Sequence, residues 1–191
     1  MKVQKGEAGY LKTRRNRLII ETLIYAVIIA AILIIGYMKY KTRMNLFTVF
    51  AVLLCLPACR TIVNLIMVFP HKTISSEIKE EIDAKTEHLS VLYDLVITSE
   101  KSAMPIQAIV ISGNTVCGYT ESFKVSKGYA AEHIKSILEQ NGIEKVTVKI
   151  FRDYVSFLSR AEGMNSIASI DQGTNKNRVE MIRSLILDIS L

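Results

Sequence analysis

Two long apolar runs near the start of the chain constrain its fold more than any other feature. The first run, residues 18–36, holds nineteen residues with a single charged side chain, Glu21. Nineteen residues at helical rise reach about 28 Å, close to the hydrocarbon thickness of a bilayer. The second run, residues 46–69, has 24 residues and can span with some tilt. The sequence therefore predicts a two-helix transmembrane hairpin over residues 18–69, and it excludes a wholly soluble protein.

Charge divides the chain at the same place. Residues 1–69 carry a net charge of +8, whereas residues 70–191 carry a net charge of −2. A nucleic-acid-binding protein concentrates positive charge on its folded domain. Here the basic residues flank the apolar runs instead, as residues that set membrane topology do. We therefore expect the lipid bilayer as a partner and no nucleic acid.

The distribution of lysine and arginine predicts the orientation of the hairpin. Six cations precede the first run, in a basic segment over residues 1–17, and three lie between the runs at Lys39, Lys41 and Arg43. The larger count marks the cytoplasmic side, so both termini are expected in the cytoplasm of a multi-pass plasma-membrane protein. A cleaved signal peptide would have a shorter apolar core and a small-x-small cleavage site. The residues after the first run do not fit that pattern, and we predict an uncleaved anchor.

Polar residues inside the two runs need partners or access to water. Glu21 lies in the first run, and Arg60 and Asn64 lie in the second, beyond the helix-bending Pro57. A charge near the bilayer centre is costly. Arg60 can extend its side chain toward the interface, or it can pair with Glu21, which an antiparallel hairpin places in the same leaflet. The sequence leaves both explanations open.

The segment from residue 56 to residue 67, LPACRTIVNLIM, carries a resemblance to a group of known proteins. It is similar to uncharacterised small two-span membrane proteins of Gram-positive (Firmicutes) bacteria, which share a basic start, a tight hairpin and a C-terminal domain. Some of them carry the description "O-linked GlcNAc transferase-like". The resemblance implies a bacterial membrane location and this architecture. It provides no catalytic residue that can be placed on this chain.

Residues 70–191 have the patterning of a small folded domain in the cytoplasm. The predicted element order is α-β-β-β-α-β-α-α, which gives an α+β domain on one mixed four-stranded sheet. The predicted helices cover residues 75–90, 126–141 and 153–162 and a closing stretch that contains Val179 to Ile189, and the predicted strands cover residues 91–98, 105–112, 115–120 and 145–151.

The domain lacks the sequence motifs of the common catalytic and cofactor sites. It has no G-x-G-x-x-G, Walker, H-E-x-x-H or G-x-S-x-G pattern, and its cysteines and histidines do not have zinc spacing. No cofactor, metal or catalytic residue is therefore predicted. The element order resembles that of restriction-endonuclease-like domains, which use an Asp on one strand and an acid-x-Lys on the next to hold Mg²⁺. Asp94 matches the first position, but Gln107 and Ile109 stand where the acid and the lysine are needed.

Two functional hypotheses follow from the sequence. In the first, the hairpin displays a non-catalytic cytoplasmic domain that binds a protein partner or forms a homo-oligomer. In the second, the chain is a membrane-tethered enzyme, a hydrolase, nuclease-like protein or transferase, with an unrecognised site. An enzyme requires a concave cluster of convergent polar groups, whereas an interaction module requires an exposed apolar patch or sheet edge.

Overall fold

The computed structural model describes residues 3–40, 46–99, 102–170 and 176–191. Most of the predicted basic loop between the spans, and the polar stretch before the last helix, lie at 41–45 and 171–175, outside the described residues. The chain divides into two compact units. One is formed by Met1–Leu11 and His71–Leu191, and we call it the α+β unit; the other, Lys12–Pro70, is the apolar unit.

Two helices contain the apolar runs. Helix α1 covers Tyr10–Tyr40 and helix α2 covers Leu46–Val68. Both are long and apolar enough, by length and composition, to cross a membrane. Helix α1 begins eight residues before the predicted span, so residues 10–17 of the basic segment are helical. Helix α2 continues through Pro57, whose carbonyl oxygen accepts a hydrogen bond from the Thr61 hydroxyl at 3.1 Å.

Small side chains mark the packed face of α2. Ala51 and Ala58 are only 2% and 8% exposed, and they lie seven residues apart on one face of the helix. This face therefore packs against protein, and alanine there permits close helix approach. Ala26 and Ala30 of α1, four residues apart on one helix face, are both exposed.

The α+β unit follows the predicted element order. The elements are α3 (Ser76–Lys85), β1 (Ser90–Thr98), β2 (Ala103–Ser112), β3 (Thr115–Tyr119), α4 (Lys127–Gln140), β4 (Thr147–Phe151), α5 (Tyr154–Ile170) and α6 (Lys176–Asp188). The strand order in the sheet is β1-β2-β3-β4. Strand β2 is antiparallel to both β1 and β3, and β4 is parallel to β3, so the predicted mixed four-stranded sheet is confirmed.

Helices cover both faces of the sheet, and this explains the nearly continuous apolar run in β2. One core cluster joins the sheet to α4 and α6 through side chains such as Ile134 and Ile182. The other joins the opposite face to α3 and α5 through side chains such as Ile82 and Phe157. The strands are therefore buried on both sides, in three layers.

Two predicted helix ends were wrong. Helix α3 stops at Lys85 rather than near residue 90, because the Thr86 hydroxyl bonds back to the Ile82 carbonyl at 2.6 Å and the chain then turns into β1. Helix α5 continues to Ile170 rather than ending near residue 162. Its buried face extends past Ala161 to Met164, and this packing against the sheet sustains the extra turns.

Residues near each end of the described chain lie along the outer edge of β1. The Tyr93 amide donates to the Gly6 carbonyl at 2.8 Å, and the Leu191 amide donates to the Val96 carbonyl at 2.8 Å. Uncovered strand edges promote unwanted pairing between chains. The predicted basic segment over residues 1–17 thus has two parts. The part around Gly6 covers the edge of β1, and the part from Tyr10 onward forms the first turns of α1.

Candidate functional site: the Asp94 junction

A buried carboxylate on β1 joins three parts of the α+β unit. Asp94 is 2% exposed, and its Oδ2 accepts the Gly9 amide at 2.6 Å while its Oδ1 accepts the Ile74 amide at 2.9 Å. The Thr73 side chain acts on this carboxylate as well, since it lowers the Asp94 pKa. A buried carboxylate needs such donors, because burying it without them would be strongly unfavourable. We call this arrangement the Asp94 junction.

The backbone at Asp94 explains how a strand residue reaches these donors. Its φ is +53°, a left-handed conformation that aspartate tolerates better than most residues. The conformation interrupts the alternation of β1, so that Leu92 and Leu95 both belong to the same core cluster. The register pairs Tyr93 with Ala108 and Leu95 with Ile106. Gln107, between those two partners, is another buried polar residue, and its Oε1 accepts the Glu121 amide at 3.0 Å.

The segments held at the junction are the ones that adjoin the apolar helices. Gly9 immediately precedes α1, and Ile74 lies in the short stretch between α2 and α3. Gly6 lies so close to β1 that an added Cβ would meet the Leu92 side chain at 2.8 Å, and its φ of +91° also favours glycine. The residues before the first apolar helix and those after the second therefore share one anchoring group.

The electrostatics of the junction are those of an anchoring group. Burial raises the pKa of Asp94, while the hydrogen bonds from Ile74, Gly9 and Thr73 oppose that rise. Because both oxygens accept bonds from the chain itself, the carboxylate is committed to holding these segments. Asp94 was singled out from the sequence as a possible metal ligand, and this geometry gives it a different task.

The remaining nuclease-like positions do not converge. Ile109 is fully buried in the core, and Gln107 bonds to the Glu121 backbone. Within the described ranges, no group of three or more His, Cys, Asp and Glu side chains could hold a metal ion. An acid and a lysine beside Asp94 are what that chemistry would need.

The polar residues of the apolar helices have separate surroundings. Glu21 pairs with Arg17 one helical turn earlier, at 2.9 Å between Oε1 and Nε. Arg60 is exposed, and Asn64 is half-buried. Glu21 thus has a cation one helical turn away on the same helix, and that pair requires no approach of a second helix. Pairing with Glu21 and extension of the side chain both stay predictions for Arg60.

Two surface features lie away from the junction. An open cavity of about 670 Å³ at one end of the sheet is lined by charges of both signs, including Glu180 and Arg183, so it selects no obvious class of ligand. Phe123, on the loop after β3, is 85% exposed, and the Arg152 guanidinium lies 5.3 Å from its ring centroid. Val155, just after β4, is 68% exposed.

No sequence pattern predicted the structural role of Gly6, Gly9 and Thr73 at or beside the junction. Gly6 and Gly9 both have positive φ, but in an isolated polar segment they suggest only flexibility. A glycine pair directly before a predicted helix is the one local feature that could have marked this segment as structured.

Comparison with known proteins gives no relative for this chain. No protein-family model matches the sequence, and no curated protein or solved structure is significantly similar to it.

Proposed function

We propose that this chain is an integral membrane protein in which α1 and α2 form a two-span anchor for a cytoplasmic α+β domain. The domain acts by binding another protein or a second copy of the chain. The resemblance to small two-span proteins of Gram-positive bacteria agrees with this proposal.

The Asp94 junction carries the proposal. Gly9, which leads into α1, and Ile74, which follows α2, bond to one carboxylate and must therefore lie on the same side of any membrane. If the helices cross the bilayer, the number of crossings must be even. A single crossing by α1, with α2 lying on the surface or entering only part of the way, would separate the two bonded segments.

The charge pattern supports a cytoplasmic domain. The basic residues concentrate before the first apolar run, and lysine and arginine near membrane spans are retained on the cytoplasmic side. Since the junction puts both flanks on one side, the same rule applies to the whole α+β unit.

An exposed aromatic surface supports binding to a protein. Tyr119 of β3 pairs with Phe151 of the parallel strand β4, so the loops that follow these strands leave the sheet at the same edge. The loop after β3 carries the exposed side chain of Phe123, and the first turn of α5 carries that of Val155. Arg152 lies over the Phe123 ring. Aromatic and arginine side chains are enriched in the cores of protein–protein interfaces.

A membrane-tethered enzyme is the second candidate, favoured by the agreement of the strand order with restriction-endonuclease-like domains. The hydrogen bonds at Asp94 weaken it, because they occupy the one acid that matches the motif. Cleavage of nucleic acid by the purified chain with Mg²⁺ or Mn²⁺, lost in Asp94→Asn, would reverse this preference.

Topology can be tested with single cysteines in a chain whose native Cys55, Cys59 and Cys117 have been replaced. A cysteine at Lys41 should react with impermeant maleimide in intact cells, and one at Lys176 only after lysis. The chain should also remain in the membrane pellet through alkaline carbonate. Release by carbonate, or labelling of only the Lys176 site in intact cells, would contradict the proposal.

Partner binding can be tested by photo-crosslinking from position 123 in intact cells. We expect a discrete adduct from Phe123 replaced by a photoreactive residue, and its loss when Val155→Asp is added. Position 135 on α4 serves as the exposed control. Equal adducts from both positions would show that the aromatic surface is not a binding site.

A further inference from the structure

Helix α1 carries its basic residues and its apolar span without a break. It is continuous from Tyr10 to Tyr40. The apolar residues that begin at Leu18 therefore lie on the same helix as four cations, Lys12, Arg14, Arg15 and Arg17. At about 100° per residue the four cations point at about 0°, 200°, 300° and 140° around the axis. They form a ring around the helix rather than a stripe, and we call this ring the basic collar.

A contact between the two helices of the apolar unit gives the level of the collar. The Arg15 guanidinium lies 6.0 Å from the ring centroid of Phe69, which immediately follows α2. The collar of α1 is therefore level with the end of α2. Phe69 is 63% exposed and is the last residue of the second apolar run, so this level is where the apolar sequence gives way to polar sequence.

The collar carries a net positive charge. Arg17 pairs with Glu21 at 2.9 Å, and residues 12–21 together hold four cations and one acid, a net charge of +3. Arginine forks bind phosphate oxygens in pairs, and lysine adds a point charge. A ring of such groups at the headgroup level is complementary to an anionic surface.

We propose that the basic collar binds the phosphate headgroups of anionic phospholipids in the leaflet that faces the α+β unit. The proposal rests on the membrane embedding proposed above. Each lysine or arginine at such a surface strengthens attraction to anionic lipid by about fivefold, and the effect weakens as salt shortens the screening length. The preference is thus for anionic over zwitterionic lipid and falls with ionic strength.

Spin-labelled lipids can measure this preference on the full chain reconstituted in phosphatidylcholine. We expect labelled phosphatidylglycerol to be motionally restricted by the chain more than labelled phosphatidylcholine. The triple change Lys12→Gln, Arg14→Gln, Arg15→Gln should reduce that selectivity by at least about twofold at low salt. High salt should reduce the selectivity of the unaltered chain in the same direction.

A charge-matched control removes three exposed lysines of the α+β unit, with Lys124→Gln, Lys127→Gln and Lys149→Gln. Its lipid selectivity should equal that of the unaltered chain. Equal losses in both triple variants, or no loss in the collar variant, would overturn the collar proposal. Loss of selectivity on adding inorganic phosphate at constant ionic strength would also overturn it, because the collar would then bind the free ion.

The total fraction of lipid that the chain restricts distinguishes a failure of the collar proposal from a failure of the proposed two-span anchor. A collar variant that restricts as much lipid in total as the unaltered chain is still embedded, so its altered selectivity reports on the collar alone. Absence of any restricted component in the unaltered chain would instead contradict the proposed two-span anchor.

Discussion

Replacing Asp94 is the sharpest test of the junction. Asp94→Ala removes the acceptor for two backbone amides, Gly9 at 2.6 Å and Ile74 at 2.9 Å, inside a site where water has little access. A buried donor left without a partner costs about 1–3 kcal/mol. Alanine at a φ of +53° adds about 1 kcal/mol of backbone strain. Because the unfavourable burial of a charge is relieved at the same time, we expect a net loss of about 3–5 kcal/mol.

Two companion variants separate the contributions to this loss. Asp94→Gly removes the same acceptor but accepts positive φ, so it should be less damaging than alanine by about 1 kcal/mol. Asp94→Asn keeps one acceptor oxygen and turns an NH₂ group toward the other amide, so its cost should be intermediate, about 1–3 kcal/mol.

Hydrogen exchange of the full chain in detergent reports the effect locally. In Asp94→Ala, the amides of Gly9 and Ile74 should exchange at least about two orders of magnitude faster, since each tenfold corresponds to about 1.4 kcal/mol. Unchanged exchange at both amides in a folded variant would refute the idea that this carboxylate holds the flanks of the apolar helices. Equal acceleration of exchange in the Asp94→Ala and Asp94→Gly variants would show that backbone strain at position 94 contributes nothing to the loss of stability.

Three further outcomes are expected. Gly6→Ala should destabilise the α+β unit by about 1–3 kcal/mol more than Gly9→Ala in urea titrations, because both have positive φ but only Gly6 is crowded by side chains; equal losses would contradict this. Burial raises the pKa of Asp94, so the folded chain binds this proton more tightly than the unfolded chain. The unfolding free energy relative to Asp94→Asn should therefore fall as the pH rises from about 4 through the raised pKa, and a rise would refute that assignment. Thermal unfolding of Glu21→Gln, Arg60→Leu and the double variant should be additive within about 0.5 kcal/mol, whereas strong coupling would restore their pairing.

Local patterns were sufficient for much of the secondary structure. The helix-period stripe and the Asn141-Gly142 stop predicted α4 to within one residue at each end, and the alternation of apolar and polar residues over 145–151 predicted β4. The spacing of Arg17 and Glu21 was also visible as an i, i+4 pair, although the distant Arg60 was weighed in its place. These features depend on neighbours within one or two turns, so a short stretch of sequence contains the relevant interactions.

Tertiary structure decided the features that join distant parts of the chain. The extra turns of α5 depend on the sheet beneath them, and no nearby residue encodes that surface. The role of Asp94 depends on Gly9, 85 positions earlier, and on the left-handed backbone that turns its carboxylate toward that amide. From sequence alone, the same aspartate in a strand is equally compatible with a metal ligand. The apolar runs by themselves determine two long helices, whereas the bonds at Asp94 decide that the segments flanking those helices meet, because only the folded sheet brings their amides to one buried acceptor.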